Sequence, residues 1–116
     1  MQFVCLVYVA PGAFAALSPA EKKAMDEASL AYDKKLQHDG HYVIAHALHS
    51  EKDATIVRRR DGKAETAKSP FSDAKEELVG FIVVEAKDMA QAVAVGNDIP
   101  LARIGSIVVR ETLDFS

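Results

Sequence analysis

Apolar residues open the chain in a nearly unbroken run, QFVCLVYV at positions 2–9, which Pro11-Gly12 ends. A run this short, rich in β-branched side chains and apolar at both odd and even positions, reads as a strand buried on two sides. The period then changes. LSPAEKKAMDEASLAYDKKLQHDG, residues 17–40, predicts a helix with Ser18 as N-cap and Pro19 at the first helical position. Glu21 stands three residues after Ser18, where it can complete a capping box. The predicted apolar stripe runs through Ala24, Met25, Ala28, Leu30, Ala31, Tyr32 and Leu36, with Lys and Asp on the other faces. Gly40, after a last turn bearing lysine and histidine, predicts the stop.

Beyond it, HYVIAHALH (41–49) predicts a second strand without breakers. Further strands are predicted at 54–60 and 63–67, joined by an Asp61-Gly62 turn. Residues 70–77 read as a loop or a single helical turn for which Ser72 is a candidate cap. ELVGFIVVE (77–85) predicts a central strand, Asp88 caps a second helix over DMAQAVAVGND, and IGSIVVRE (104–111) predicts the last strand. The order β-α-β-β-(β)-α-β predicts one α+β domain over residues 1–116, a ferredoxin-like βαββαβ sandwich with both helices on one face of an antiparallel sheet. One chain has helix enough for one face only, yet 2–9 and 79–84 are apolar on both. The expected remedy is a homodimer packed sheet against sheet, a dimeric α/β barrel-like assembly that encloses a cavity between its two chains.

Composition narrows the function classes. Across 116 residues, 49% are hydrophobic and 27% charged, the balance of an ordered globular protein. Tryptophan is absent, so aliphatic side chains must fill the core. A formal charge of −3 argues against a nucleic-acid partner. The lone cysteine, Cys5, precludes an internal disulfide; inside its apolar run it reads as a buried, inert thiol suited to a reducing compartment. The first apolar run has no basic leader and no small-residue cleavage site behind it, so neither a secretory signal nor a membrane span is expected. The expected location is cytoplasmic. No repeat or low-complexity segment is visible.

Chemistry-bearing residues are sparse. His38, His41, His46 and His49 fall within twelve residues, and strand alternation sends His41 and His49 to one face and His46 to the other. Same-face residues eight positions apart cannot share a small metal ion, so no metal site is expected. His46 interrupts an apolar face formed by Tyr42, Ile44 and Leu48: it is either a hydrogen-bonded core imidazole or an acid/base group facing a cavity. In the second case Asp73, in the loop after Phe71, is its natural orienting partner.

Arg58-Arg59-Arg60 reads as a solvated edge strand, with Arg58 or Arg60 as the alternative anchor for a carboxylate or phosphate. Arg110 is a similar candidate. Lys75 and Glu76 are expected to pair with neighbours, with Lys75 kept as a candidate ligand contact. Phe71 would bury its ring and pin its loop, and Tyr8 could present its hydroxyl at a strand end. No P-loop, nucleophile elbow or dinucleotide fingerprint is present, and no cofactor is indicated.

Several of these stretches match one known pattern. LSPAEKKAM (17–25), RRRDGKAETAKSPFSDAKEELVGFIVVE (58–85) and GSIVVR (105–110) resemble the YCII-related family in its DGPF subgroup, across nearly the whole chain. Pro70-Phe71 stands at the Pro-Phe of the D-G-P-F signature, in the degenerate form Ser-Pro-Phe. Lys68-Ser69 replaces the usual Asp-Gly, while Asp73, Lys75 and Glu76 keep the pattern that follows. His46 stands where a glutamate is common, and Val108 replaces another, with Arg110 retained. The resemblance implies a ferredoxin-like dimer with a cleft between sheets. Relatives include a dehydrochlorinase-type enzyme of aromatic degradation and proteins encoded beside or fused to sigma-factor-like regulators, and a His–Asp pair is the proposed site chemistry.

The expected function is therefore small-molecule binding by a homodimer with an interchain cavity and no catalysis of its own. The alternative is a lyase or isomerase in which His46 and Asp73 perform acid/base chemistry on a small anionic or aromatic substrate. Tyr8, Arg58, Phe71, Lys75 and Arg110 are its candidate binding residues.

Overall fold

A computed structural model describes residues 1–68 and 75–115; within these, the side chains of residues 65, 67 and 68 are left undescribed. The elements are β1 (Gln2–Val9), α1 (Pro19–His38), β2 (Tyr42–Ala47), β3 (Thr55–Arg60), β4 (Lys63–Lys68), β5 (Glu77–Glu85), α2 (Met89–Asn97) and β6 (Gly105–Glu111). Short 3₁₀ turns follow β2 and α2, at Glu51–Asp53 and Pro100–Arg103. Four strands form one antiparallel sheet in the order β2-β5-β1-β6, and β3 pairs with β4 in a separate two-stranded sheet. With the hairpin set aside, this is the ferredoxin-like arrangement, with the doubly apolar strands β1 and β5 at its centre.

Helix α1 starts as its sequence dictates. The Glu21 amide donates to the Ser18 hydroxyl at 3.1 Å while the Ser18 amide donates to the Glu21 carboxylate at 2.8 Å, the reciprocal capping box. Asp88 caps α2, its carboxylate accepting from the Gln91 amide at 2.9 Å. Both helices lie on one face of the sheet. The core between them is built from Phe3, Cys5, Val7 and Val9 of β1, Ile82 and Val84 of β5, Leu36 of α1, and Ala92 and Val95 of α2. Cys5 is fully buried, and desolvation pushes its thiol up to about 11, the inert state expected of it. Tyr32 ties α1 to α2: its hydroxyl donates to the Val95 carbonyl at 2.6 Å, and burial pushes its pKa up to about 12.

Two expectations need correction. The inward stripe of α1 runs through Met25, Ala28, Ser29, Tyr32, Asp33 and Leu36, whereas Ala24, Leu30 and Ala31 are exposed. Leu30 keeps 64% of its surface in solvent. The stripe is rotated because Tyr32 and Leu36 fix which side meets the sheet, and a short run of alanines carries little burial energy against them. In β2, a bulge between Tyr42 and Ile44 shifts the alternation by one residue. Tyr42 and Ala45 therefore pack against the core, while Ile44 and His46 turn to the opposite face. His41 leaves the proposed alternation as well, its Nδ1 lying 2.8 Å from the Glu85 carbonyl.

The β3–β4 hairpin turns at Asp61 (φ 53°) and Gly62 (φ 75°), two left-handed positions in sequence that suit the predicted Asp-Gly turn. Beyond that it stands apart. Among the described residues β3 and β4 pack on each other and make no substantial contact with the four-stranded sheet. The chain is accordingly slab-like, 47 × 45 × 18 Å, with a radius of gyration of 16.1 Å. A compact chain of this length would have about 13 Å.

Candidate functional site

The sheet has two unlike faces. On the helix side, Phe3, Cys5, Val7 and Val9 are 0–4% exposed. On the other side the strand register lines up two rows of side chains across the sheet. One row is Ile44, Val83, Val4 and Arg110; the next is His46, Phe81, Leu6 and Val108. Tyr8 follows beside Ser106 and Leu78. The central members are half-buried by their neighbours, whereas Ile44 and Val108 expose 44% and 42% of their surface. No element among the described residues covers this apolar face.

His46 belongs to the open face. Its ring lies against Phe81 with centroids 5.9 Å apart and planes tilted by 58°. It is exposed and makes no hydrogen bond, so it is not a core imidazole satisfied by backbone. The backbone beside it is held close to β5: a β-carbon on Gly80 would stand 2.9 Å from the His46 carbonyl oxygen. Only a residue without a side chain lets the two strands approach there.

A concave site lies within the single chain. A cavity of about 480 Å³ sits between α1 and the sheet, at the β2 and β5 edge. Its apolar surface comes from Val7 and Val9 of β1, Ala45 and Ala47 of β2, Val79 and Ile82 of β5, and Ile99 and Leu101 after α2, with Phe14 from the loop before α1. Its polar groups are Asp26, Ser29, Tyr32 and Asp33 on α1, with Ser50 and Glu77; His46 borders it at the β2 edge, its ring on the open face. The cavity exists because α1 meets the core firmly only toward its C-terminal end, at Tyr32 and Leu36, and opposite it β2 offers only the small side chains Ala45 and Ala47. Desolvation raises the pKa of Asp33 from its ordinary value. Glu77 is held in place: it accepts from the Glu51 amide at 3.1 Å, and Glu51 in turn accepts from the Leu78 amide at 3.2 Å.

The sequence-predicted residues divide among several regions. His46 reaches the cavity lining. Tyr8 and Arg110 lie on the open face, Arg110 exposed on edge strand β6. Arg58, Arg59 and Arg60 are all exposed on the hairpin, outside the cavity. Lys75 is exposed ahead of β5, while its neighbour Glu76 accepts from the hydroxyl of Ser106 on β6 at 2.8 Å, a partner distant in sequence rather than one across its own loop. Phe71 and Asp73 lie outside the described residues, so the His46–Asp73 pair has no geometry here. Asp26, Ser29 and Asp33 were missed by sequence reasoning. Their i, i+3, i+7 spacing was available, but it read as the solvated side of α1. Among the described residues no group of three His, Cys, Asp or Glu side chains is arranged to hold a metal ion, and no helix is long and apolar enough to cross a membrane.

The family model for the YCII-related domain matches residues 1–116. The chain belongs to the YCII-related family. Among solved structures it is similar to the 5-chloro-2-hydroxyhydroquinone dehydrochlorinase TftG of Burkholderia phenoliruptrix AC1100, in complex with 2,5-dihydroxybenzoquinone. The TM-score is 0.57 at 15% identity, covering 97% of this chain and 94% of that one. At that identity the likeness establishes a shared fold. No functionally curated protein matches the chain.

Proposed function

We propose that this YCII-related protein binds a small molecule in the cavity between α1 and the sheet, and works as a homodimer whose open sheet faces pack together. One observation carries the ligand reading: a cavity of about 480 Å³ with mostly apolar walls and a few convergent polar groups. That is the size and character of a small-molecule site. The fold shared with TftG, itself solved with a quinone bound, supports the same reading. The dimer is supported by the apolar rows on the open face, whose solvation a second copy would relieve at about 25 cal/mol per Å² buried. The Pro70-Phe71 pair and the Asp73, Lys75 and Glu76 that follow support placement in the DGPF subgroup.

A fragment titration followed by amide NMR tests the ligand site. Binding fragments should shift the amides of Ala45, Ala47, Val79 and Leu101 together, and enlarging Ala45 to Phe should abolish those shifts while the fold persists. Shifts scattered over the surface, or unaffected by Ala45→Phe, would remove the cavity from the account.

The second reading, lyase or isomerase chemistry by His46 and Asp73, is favoured by one feature: His46 borders the cavity at the β2 edge, and its exposed imidazole on the open face has no hydrogen-bond partner among the described residues. A coupled pair would show a His46 titration that moves downward in Asp73→Asn, because the lost carboxylate no longer favours the imidazolium. An unchanged titration would dissolve the pair.

A further inference from the structure

We propose that the ligand of the α1 cavity is a small amphipathic cation, an aryl- or alkylamine, rather than an anion; the inference rests on the cavity being the ligand site. The cavity has an apolar floor and an acidic wall. The floor is laid by Val7, Val9, Val79, Ile82 and Leu101. The wall is one side of α1, where Asp26, Ser29 and Asp33 occupy successive turns. Among the described lining residues there is no lysine or arginine.

Most other polar groups in the cavity are already engaged. Tyr32 donates to Val95, Glu77 accepts from the Glu51 amide, and Ser50 accepts from the Lys52 amide. Among the described residues, the side chains of Asp26, Ser29 and Asp33 have no hydrogen-bond or ion-pair partner. Asp33 is the decisive one, because it sits on the inward stripe of the helix, half-buried, beside the core residues Tyr32 and Leu36. A carboxylate taken partly out of water without a counter-charge costs free energy, and an ammonium group placed against it returns that cost as a charge-assisted hydrogen bond. Ser29 can accept a further hydrogen from the same ammonium. A ligand carboxylate at that wall would instead meet like charge. The anion anchors expected from the sequence, Arg58 and Arg110, lie on the hairpin and on the opposite face of the sheet, where they cannot offset that repulsion.

Three probes of one shape separate the alternatives: 2-phenylethylamine, 2-phenylethanol and 3-phenylpropionate, titrated into the full chain at pH 7 and followed by amide NMR. The amine should shift the amides of Ala45, Ala47, Val79 and Leu101 and bind ~10-fold or more tightly than the carboxylate. Its affinity should fall roughly 10-fold in Asp33→Asn and roughly threefold in Asp26→Asn, both near-isosteric changes on a helix surface. If the alcohol and the carboxylate bind the cavity as well as the amine, the cation preference is wrong while the ligand site stands. Amine binding indifferent to both substitutions would also overturn it. If none of the three shifts these amides, the ligand site itself fails.

Discussion

The two faces of the four-stranded sheet are made by the same strands and are almost equally apolar, yet they meet opposite surroundings. Under the helices, Phe3, Cys5, Val7 and Val9 are sealed from water. On the other face of the same strand, Val4, Leu6 and Tyr8 stand half-exposed with no element among the described residues above them. Strands apolar on both faces suit a sheet covered on two sides, and the described residues supply one covering layer. The helix-covered face is also imperfectly filled, and its defect is the cavity at the β2 edge. One face is left uncovered by the described residues, and the other holds an unfilled hollow.

The sharpest way to separate the faces is to truncate one residue on each. Phe3→Ala on the covered face should cost about 3–5 kcal/mol in chemical denaturation, the usual loss for a fully buried aromatic. Charge on the open face should act on association: Val108→Asp should leave the helical circular dichroism intact and weaken self-association by roughly 100-fold, since it places a charge in a desolvated interface. Should Val108→Asp unfold the chain as Phe3→Ala does, the two faces would not be distinct.

Smaller effects probe the helix layer. Tyr32→Phe removes the bond to the Val95 carbonyl and should cost about 1 kcal/mol, read from a denaturation midpoint. Asp33 tests the cavity wall with the opposite sign. Its folded-state pKa is raised, so its carboxylate opposes folding at neutral pH. That penalty is complete above the folded pKa and vanishes below the unfolded value near 3.9. Asp33→Asn should therefore stabilise the protein by about 0.5 kcal/mol at pH 7, a figure kept small because Asp33 is only half-buried, and the gain should fade by about pH 3. A destabilised Asp33→Asn would mean that the carboxylate serves the fold.

Much of this division was legible in the sequence. The capping box at Ser18 and Glu21, the Asp61-Gly62 turn and the double-sided apolar runs of β1 and β5 are local signals with local causes, and they gave the order of elements. The facing of β2 was not legible, because the bulge before Ile44 comes from its pairing with β5, a partner more than thirty residues away. The inward face of α1 was misread for the same reason: Asp33 sits inside because Tyr32 and Leu36 pull that side onto the sheet. The three arginines of β3 looked like candidate anchors in one dimension, and only the tertiary arrangement sets them on a hairpin apart from the cavity. The candidate site thus hid in residues that look like solvated helix surface, while the most noticeable residues lay elsewhere.

The most direct test of the account compares the two faces in one experiment. A soluble paramagnetic cosolute broadens methyl resonances that water can reach, and the methyls of Val4, Leu6, Val83 and Val108 can be read beside those of Val7 and Val84. At concentrations where the protein self-associates, the account predicts that the open-face methyls are protected nearly as well as the core methyls, and that Val108→Asp restores their broadening. Open-face methyls broadened at every concentration would contradict it: the apolar face would then stand in water, and no second copy would cover it.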